Sequence, residues 1–331
     1  MMDVVTFGET MIRLSPPDHL RLEQTSSLTL SVGGAELNVA AGVARLGLNS
    51  AYVSRLPSNP LGRMIANTGR GFNINMSNIL WAEGERVGVY FVEFGADPRP
   101  TRVYYDRKDS AFAHIQPGMV DWKSIFQEAR LFHVGGITPA LSVSAHDAQK
   151  EAMIAAQEAG CLVSYDINYR ASLWTVDEAR KIQRPLMEHV DISITSLPDQ
   201  PDTSELLSGF NGNDPAEVAR RVAEMFGFKT VLATMRKSLS AQRATITSLA
   251  YADGNLYTDR CYEVETIDPI GGGDANVAGF LTGYLEGDIQ KAVRLGNAFS
   301  VLQQTAPTDL PWSTRAEVEA LIAEGGSSMR R

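Results

Sequence analysis

The chain has 331 residues, enough for one large α/β domain or two ordinary ones, and 44% of them are hydrophobic, as in a globular protein with a sizeable core. A net charge of -9, with acids and bases mixed along the chain, argues against nucleic acid as the main partner and makes individual arginines informative for any anion site. Cys161 and Cys261 lie too far apart for a disulfide framework or a Cys-rich zinc site, the five histidines form no H-E-x-x-H, and neither a signal-peptide pattern nor a membrane-length apolar run is present, so cytoplasm is the expected setting and a membrane is not an expected partner.

In chain order, "VVTFGE" (Val4–Glu9) reads as a short buried strand. "GGAELNVAAGVARLG" (Gly33–Gly47) reads as a helix, with Leu37, Ala40, Ala41, Val43, Ala44 and Leu46 near helical spacing. A strand at 50–56 and a helix at 61–72 follow. The aromatic-rich segments 86–95 and 101–107 read as β structure joined through "ADPRP". With 11–14 and 28–32 they are expected to form a small sheet outside the main one, a lid built from segments of about 11–32 and 86–112.

Strand and helix then alternate. "ARLFHVGG", "CLVSYDIN", "VDISITS" and "TVLATM" are strands. "SAHDAQKEAMIAAQEAG", "TVDEARKIQRPLMEH" and "DPAEVARRVAEMFG" are helices, the second with a Thr cap and an acidic first turn, the third with Pro215 at its first position. Two further β segments, 245–252 and 255–265, lead to a glycine-rich junction. The pattern predicts a single domain of α/β class, a mostly parallel sheet with helices on both faces, and a ligand at the carboxyl ends of the strands.

The junction reads "ETIDPIGGGDANVAGF". Gly271, Gly272 and Gly273 separate a β segment from an apolar stretch with helical spacing, and Asp274 follows. A helix start leaves N–H groups without internal partners, and with the helix dipole they favour an anion. A carboxylate beside such a site can remove a proton from an attacking hydroxyl. The plain alternative is structural, with Asp274 as an N-cap after a glycine turn. The stretch matches neither G-x-G-x-x-G nor G-x-x-x-x-G-K-[ST], and both readings stay open on these residues alone.

"GGAELNVA" and "DPIGGGDANVAGF", in this order and context, resemble the two signatures of the ribokinase-like (PfkB-type) carbohydrate kinases, over about Val4 to Leu321. "GETMIRLSPP", "RPTRVYYDRKDSAFA", "VGGITPALS" and "DINYRASLW" look most like the 2-keto-3-deoxygluconate kinase branch. The resemblance implies ATP-dependent phosphorylation of a sugar hydroxyl with Mg²⁺ present, a β lid over the sugar, and an oligomer. By likeness, Asp274 is the catalytic base and Gly271 to Gly273 form the anion hole. Gly34, Asn38, Tyr90, Tyr105, Arg107, Ile137 and Arg170 meet the acid sugar, and Thr234 and Asn297 lie on the nucleotide side. Arg suits a carboxylate because its donors form a fork, and tyrosines offer a flat face with a hydroxyl. Taken singly, Arg107 also reads as a solvated arginine, Arg170 as a salt-bridge partner of Asp166, and both tyrosines as strand packing.

Two departures stand out. Where the family usually has N-x-x-E to organise Mg²⁺ and its waters, this chain has Ser196, Leu197, Pro198 and Asp199. Asp199 keeps a carboxylate with less reach, as a weak metal contact through water. Asn276 replaces the family's usual Phe two places after the base; the alternatives are a compensating change nearby or an altered pocket. A kinase for another sugar such as fructose, and a non-catalytic sensor on the same scaffold, are the competing readings.

Overall fold

Val4, Val5 and Phe7 are wholly buried, which places β1 (Met2–Phe7) inside a sheet covered on both faces. The computed structural model describes residues 2–197 and 214–325. β2 (Met11–Ser15) and β3 (Thr29–Gly33) leave the main sheet, and the chain returns through α1 (Ala35–Arg45), whose Leu37, Ala40, Ala41 and Val43 are buried. β4 (Ser50–Pro57), α2 (Pro60–Gly71) and β5 (Ile79–Ala82) follow; the Asn59 side chain caps α2, with Pro60 at its first turn. β6 (Val89–Glu93) and β7 (Arg102–Asp106) complete the small sheet, of order β3-β2-β6-β7.

The alternating half runs α3 (Trp122–Phe126), β8 (Ala129–Gly135), α4 (Thr138–Leu141), α5 (Val143–Glu158), β9 (Leu162–Asp166), α6 (Val176–Gln183) and β10 (Ile192–Leu197). α6 starts on a complete capping box between Thr175 and Glu178. The expected helix across 175–189 is shorter than its pattern suggests. It becomes a 3-10 turn at Arg184–His189, where Pro185 has no N–H to continue the ladder. After α7 (Pro215–Phe226) come β11 (Thr230–Ser238), β12 (Arg243–Ala252), β13 (Asn255–Thr258) and β14 (Tyr262–Glu265). The last two were expected as one segment. They are separate because each pairs with a different stretch of β12, Leu249 facing Thr258 and Ile246 facing Tyr262.

Three helices close the chain: α8 (Gly272–Leu285), α9 (Ile289–Gln303) and α10 (Arg315–Glu324). The sequence reading assigns nothing to the last two. α8 and α9 are buried nearly all round, so neither shows the one-sided stripe of a surface helix. The main sheet runs β13-β12-β11-β10-β9-β8-β1-β4-β5, with β14 also on β12. From β11 to β5 the pairing is parallel, and β12 turns antiparallel at one end. One apolar layer, with Phe7, Trp122, Phe126 and Phe132, covers one face; another, with Val39, Phe280 and Phe299, covers the other. Each such side chain contributes about 1.5–3 kcal/mol by leaving water. The fold is thus the expected mostly parallel α/β sheet with a separate small sheet. Among the described residues no helix is long and apolar enough to cross a membrane.

Candidate active site

The carboxyl ends of β1, β8 and β9, the start of α1 and the start of α8 surround one cavity of about 410 Å³, with Tyr90, Tyr105 and Arg107 of the small sheet and its exit on another side. Gly34, Asn38, Ile137, Arg170, Gly271, Gly273 and Asp274 line it as well. Residues predicted from far-apart motifs therefore share one space. Gly272 sits just behind, packed on the Gln304 side chain, while Thr234 and Asn297 do not line the cavity.

Gly271 is the N-cap of α8, in the left-handed region at φ 82°. A side chain there would also strike the Asp309 backbone, so conformation and space both require glycine. No side chain caps this helix start, so its first N–H groups have no capping side chain. Asp274 is therefore not the cap, which answers the structural alternative. It lies inside the first turn, and its Oδ2 accepts from Asn38 Nδ2 at 2.7 Å. Burial pushes the Asp274 carboxyl up to about 7; the Asn38 bond opposes this, while Asp166 and Asp309 add to it.

The small sheet supplies the opposite wall. Tyr90 and Tyr105 face each other across β6 and β7, with ring centroids 5.9 Å apart, and the Arg107 guanidinium lies 5.6 Å from the Tyr105 ring. Arg107 is not a solvated arginine. It is 9% exposed, and its Nε donates to Glu9 Oε2 at 2.8 Å while Nη2 reaches the same oxygen. Glu9 also accepts from Ser110. Two of the three guanidinium nitrogens are thus committed inside the protein. Arg170 differs: it is exposed at the cavity, and the one side-chain hydrogen bond it makes among the described residues goes to the Tyr169 carbonyl, at 3.1 Å. It forms no salt bridge to Asp166, although its charge partly offsets the burial that pushes Asp166 up to about 6.

Asp309 is among the wall residues missed from the sequence. Asp309 lines the cavity, accepts from Tyr90 Oη at 2.6 Å and from Arg13 Nη1 at 2.5 Å, and is 3% exposed. Arg13 Nη2 donates to Asp268 at 2.6 Å, and Asp268 in turn accepts from the backbone N–H of Ile270 and Thr308. Arg13 and Tyr90 are neighbours across β2 and β6. The small sheet is thereby clasped to the loop that carries the glycine turn. Arg13 and Asp309 stand 296 positions apart and belong to no local motif.

Asn276 has one side-chain hydrogen-bond partner, while its buried Oδ1 has none among the described residues. It is fully buried, its Nδ2 donates to Ser248 Oγ at 2.6 Å, and Ser248 donates to Asn297 Oδ1 at 3.4 Å. Asn297 Nδ2 is shared between Asp259 and the Arg260 carbonyl. Asn276, Ser248, Asn297 and Asp259 thus form one chain of polar side chains beside β12. Asp199 lies outside the described residues, as does Pro198; of Ser196 and Leu197 only the backbone strand is described. Among the described residues no group of three or more His, Cys, Asp or Glu side chains is placed to hold a metal ion.

Known proteins resemble this one over nearly the whole chain. A 2-dehydro-3-deoxygalactonokinase of Haloferax volcanii is 36% identical over 330 residues, 99% of both chains. A 2-dehydro-3-deoxygluconokinase of Bacillus subtilis is 30% identical, over 93% of this chain and 91% of that one. The crystal structure of a 2-dehydro-3-deoxygluconokinase from Thermotoga maritima superposes with a TM-score of 0.93 at 39% identity, covering 97% of this chain and 98% of the other. The family model for pfkB family carbohydrate kinases matches residues 1–310, a span holding both glycine motifs, the clasp and every wall of the cavity, and the chain belongs to that family.

Proposed function

We propose that this carbohydrate kinase transfers the γ-phosphoryl group of ATP to a hydroxyl of a 2-keto-3-deoxy sugar acid, with 2-keto-3-deoxygluconate, giving the 6-phosphate, as the preferred acceptor. The observation that carries this is Asp274, hydrogen-bonded to Asn38 at 2.7 Å, beside an uncapped helix start in a cavity that also holds Arg170. Bound ATP supplies the phosphoryl group, with Mg²⁺ on its phosphates. The N–H groups after Gly271 suit developing negative charge, and Asp274 takes the proton as the hydroxyl oxygen bonds to phosphorus and ADP leaves. A pKa near neutrality suits a general base. Mg²⁺ would be carried chiefly by the nucleotide's phosphates and water, with Asp199 adding at most an outer contact. Thr234 and Asn297 remain nucleotide-side candidates. A cytoplasmic setting goes with this reading.

Arg170 is the arginine whose donors are mostly uncommitted, so it bears more of the acceptor's carboxylate than Arg107 does. Arg170→Met should raise KM for sugar acids by roughly 10–150-fold, the worth of about 1.5–3 kcal/mol for hydrogen bonds to a charged group. KM for ATP should stay put. A panel of 2-keto-3-deoxygluconate, its galactonate epimer, related keto sugar acids and fructose tests the assignment. Preference for fructose over every acid sugar contradicts it.

The small sheet leaves Leu30 and Tyr104 about half exposed on its edge strands β3 and β7. Open edges and apolar surface of this kind call for cover. A second copy of the chain is the proposed occupant. Light scattering at micromolar protein should show an oligomer; monomer alone opposes the proposal.

A further inference from the structure

Glu36 occupies the first turn of α1, where an acidic residue ordinarily complements the helix dipole from the surface. Here it is 2% exposed and forms part of the cavity wall. Its Oε1 is buried and has no hydrogen-bond partner. A buried polar atom without a partner costs about 1–3 kcal/mol, so a native protein holding one at a ligand cavity calls for an explanation.

The backbone around it is cleared to make room. A Cβ added at Gly135, the end of β8, would lie 2.9 Å from Oε1, and one added at Gly8, just past β1, would overlap the same carboxyl group. Two strand ends therefore stay bare where the Glu36 carboxyl lies. The cavity's other acids are accounted for: Glu9 by Arg107 and Ser110, Asp274 by Asn38, Asp309 by Arg13 and Tyr90, and Asp166 by Asn168. Glu36 is the wall acid left without a side-chain partner among the described residues.

We propose that the Glu36 carboxyl group is the floor of the acceptor site and donates a hydrogen bond to an oxygen of the sugar chain. This rests on the sugar-acid reading above and deepens it. A neutral acid fits the position, because an ionised one would repel the acceptor's own carboxylate. Burial pushes Glu36 up to about 8; the hydrogen bond from its own backbone N–H opposes this, as does Arg107, while Asp274 and Asp166 add to it. Tyr52 and Tyr165 also face it. Both are pushed up by burial, so they stay neutral in the range where Glu36 titrates.

The test is the pH dependence of acceptor KM, with 2-keto-3-deoxygluconate as the probe, in the wild type, Glu36→Gln and Glu36→Leu. In the wild type KM should climb as pH rises through about 8, because the donor proton is lost and a charge appears. Glu36→Gln keeps an N–H donor that does not titrate. It should hold KM within about threefold of wild type at pH 7 and lack the alkaline climb. Glu36→Leu should raise KM for the sugar by roughly tenfold or more, with KM for ATP unchanged. Should Glu36→Leu not fold, Glu36→Gln decides alone. An alkaline climb that persists in Glu36→Gln overturns the proposal, as does a wild-type KM in a folded Glu36→Leu. Failure of the substrate reading looks different, since the wild type itself would then turn over no sugar acid.

Discussion

Asp274→Asn is expected to lower turnover by about 10²–10⁴-fold while leaving sugar binding nearly intact. The amide keeps the shape of the side chain, so the Asn38 contact and the helix start should survive. What disappears is an acceptor for the proton of the attacking hydroxyl. In the wild type, turnover should rise with pH through about 7, since burial holds the carboxyl protonated below that point. Stability should run the opposite way. The native state keeps this proton up to about 7, whereas an unfolded Asp releases it near 3.8. The contribution of Asp274 is therefore fully present below the lower value and lost as pH rises through the upper one. Asp274→Asn, which cannot ionise, should melt at a higher temperature than wild type at pH 8 while being far less active. Steady-state rates and thermal melts on the same samples check both. A folded variant with unchanged turnover excludes Asp274 as the base.

Arg13→Met is expected to destabilise the protein by about 3–5 kcal/mol, because it removes one cation from between two buried carboxylates. Asp268 is fully buried and Asp309 is 3% exposed, so neither can turn to water for relief. The damage should not stop at stability. Asp268 holds the Ile270 N–H immediately before the glycine turn, and Asp309 holds the Tyr90 hydroxyl in the small sheet. Loss of Arg13 frees the two walls of the site from each other. Urea unfolding measures the first effect. Turnover at a temperature where the variant is still folded measures the second. Arg13→Met with Asp268→Asn should recover part of the lost stability, since fewer uncompensated charges remain. A single variant within about 0.5 kcal/mol of wild type would show that the clasp carries little.

Much of the architecture could be read from local pattern. β1, β8 and β10 are short apolar runs bounded by turns, and α6 announces itself by Thr175 and Glu178. The glycine turn and Asp274 are contiguous, so their chemistry was legible together. The clasp was not. Arg13, Tyr90, Asp268 and Asp309 meet only after the small sheet folds over the strand ends, and "PTDLP" has no periodicity to single out Asp309. Arg107 was expected at the sugar, but its commitment to Glu9 depends on a contact between residues 98 positions apart. Glu36 stood inside a recognised motif and was passed over, since an acid in a helix's first turn has an ordinary explanation. α9 was invisible for a different reason. Burial on nearly every side removes the amphipathic stripe by which a helix is recognised.

The measurement that bears most directly on the whole account is ADP formation by the purified protein with ATP, Mg²⁺ and 2-keto-3-deoxygluconate across a magnesium titration, beside calorimetry of sugar binding. The account predicts magnesium-dependent turnover with sugar acids, favoured over fructose and lost in Asp274→Asn. Tight sugar binding with no ADP formed at any magnesium concentration, using several nucleotides and sugar acids, would contradict it and mark the protein as a sensor on a kinase scaffold.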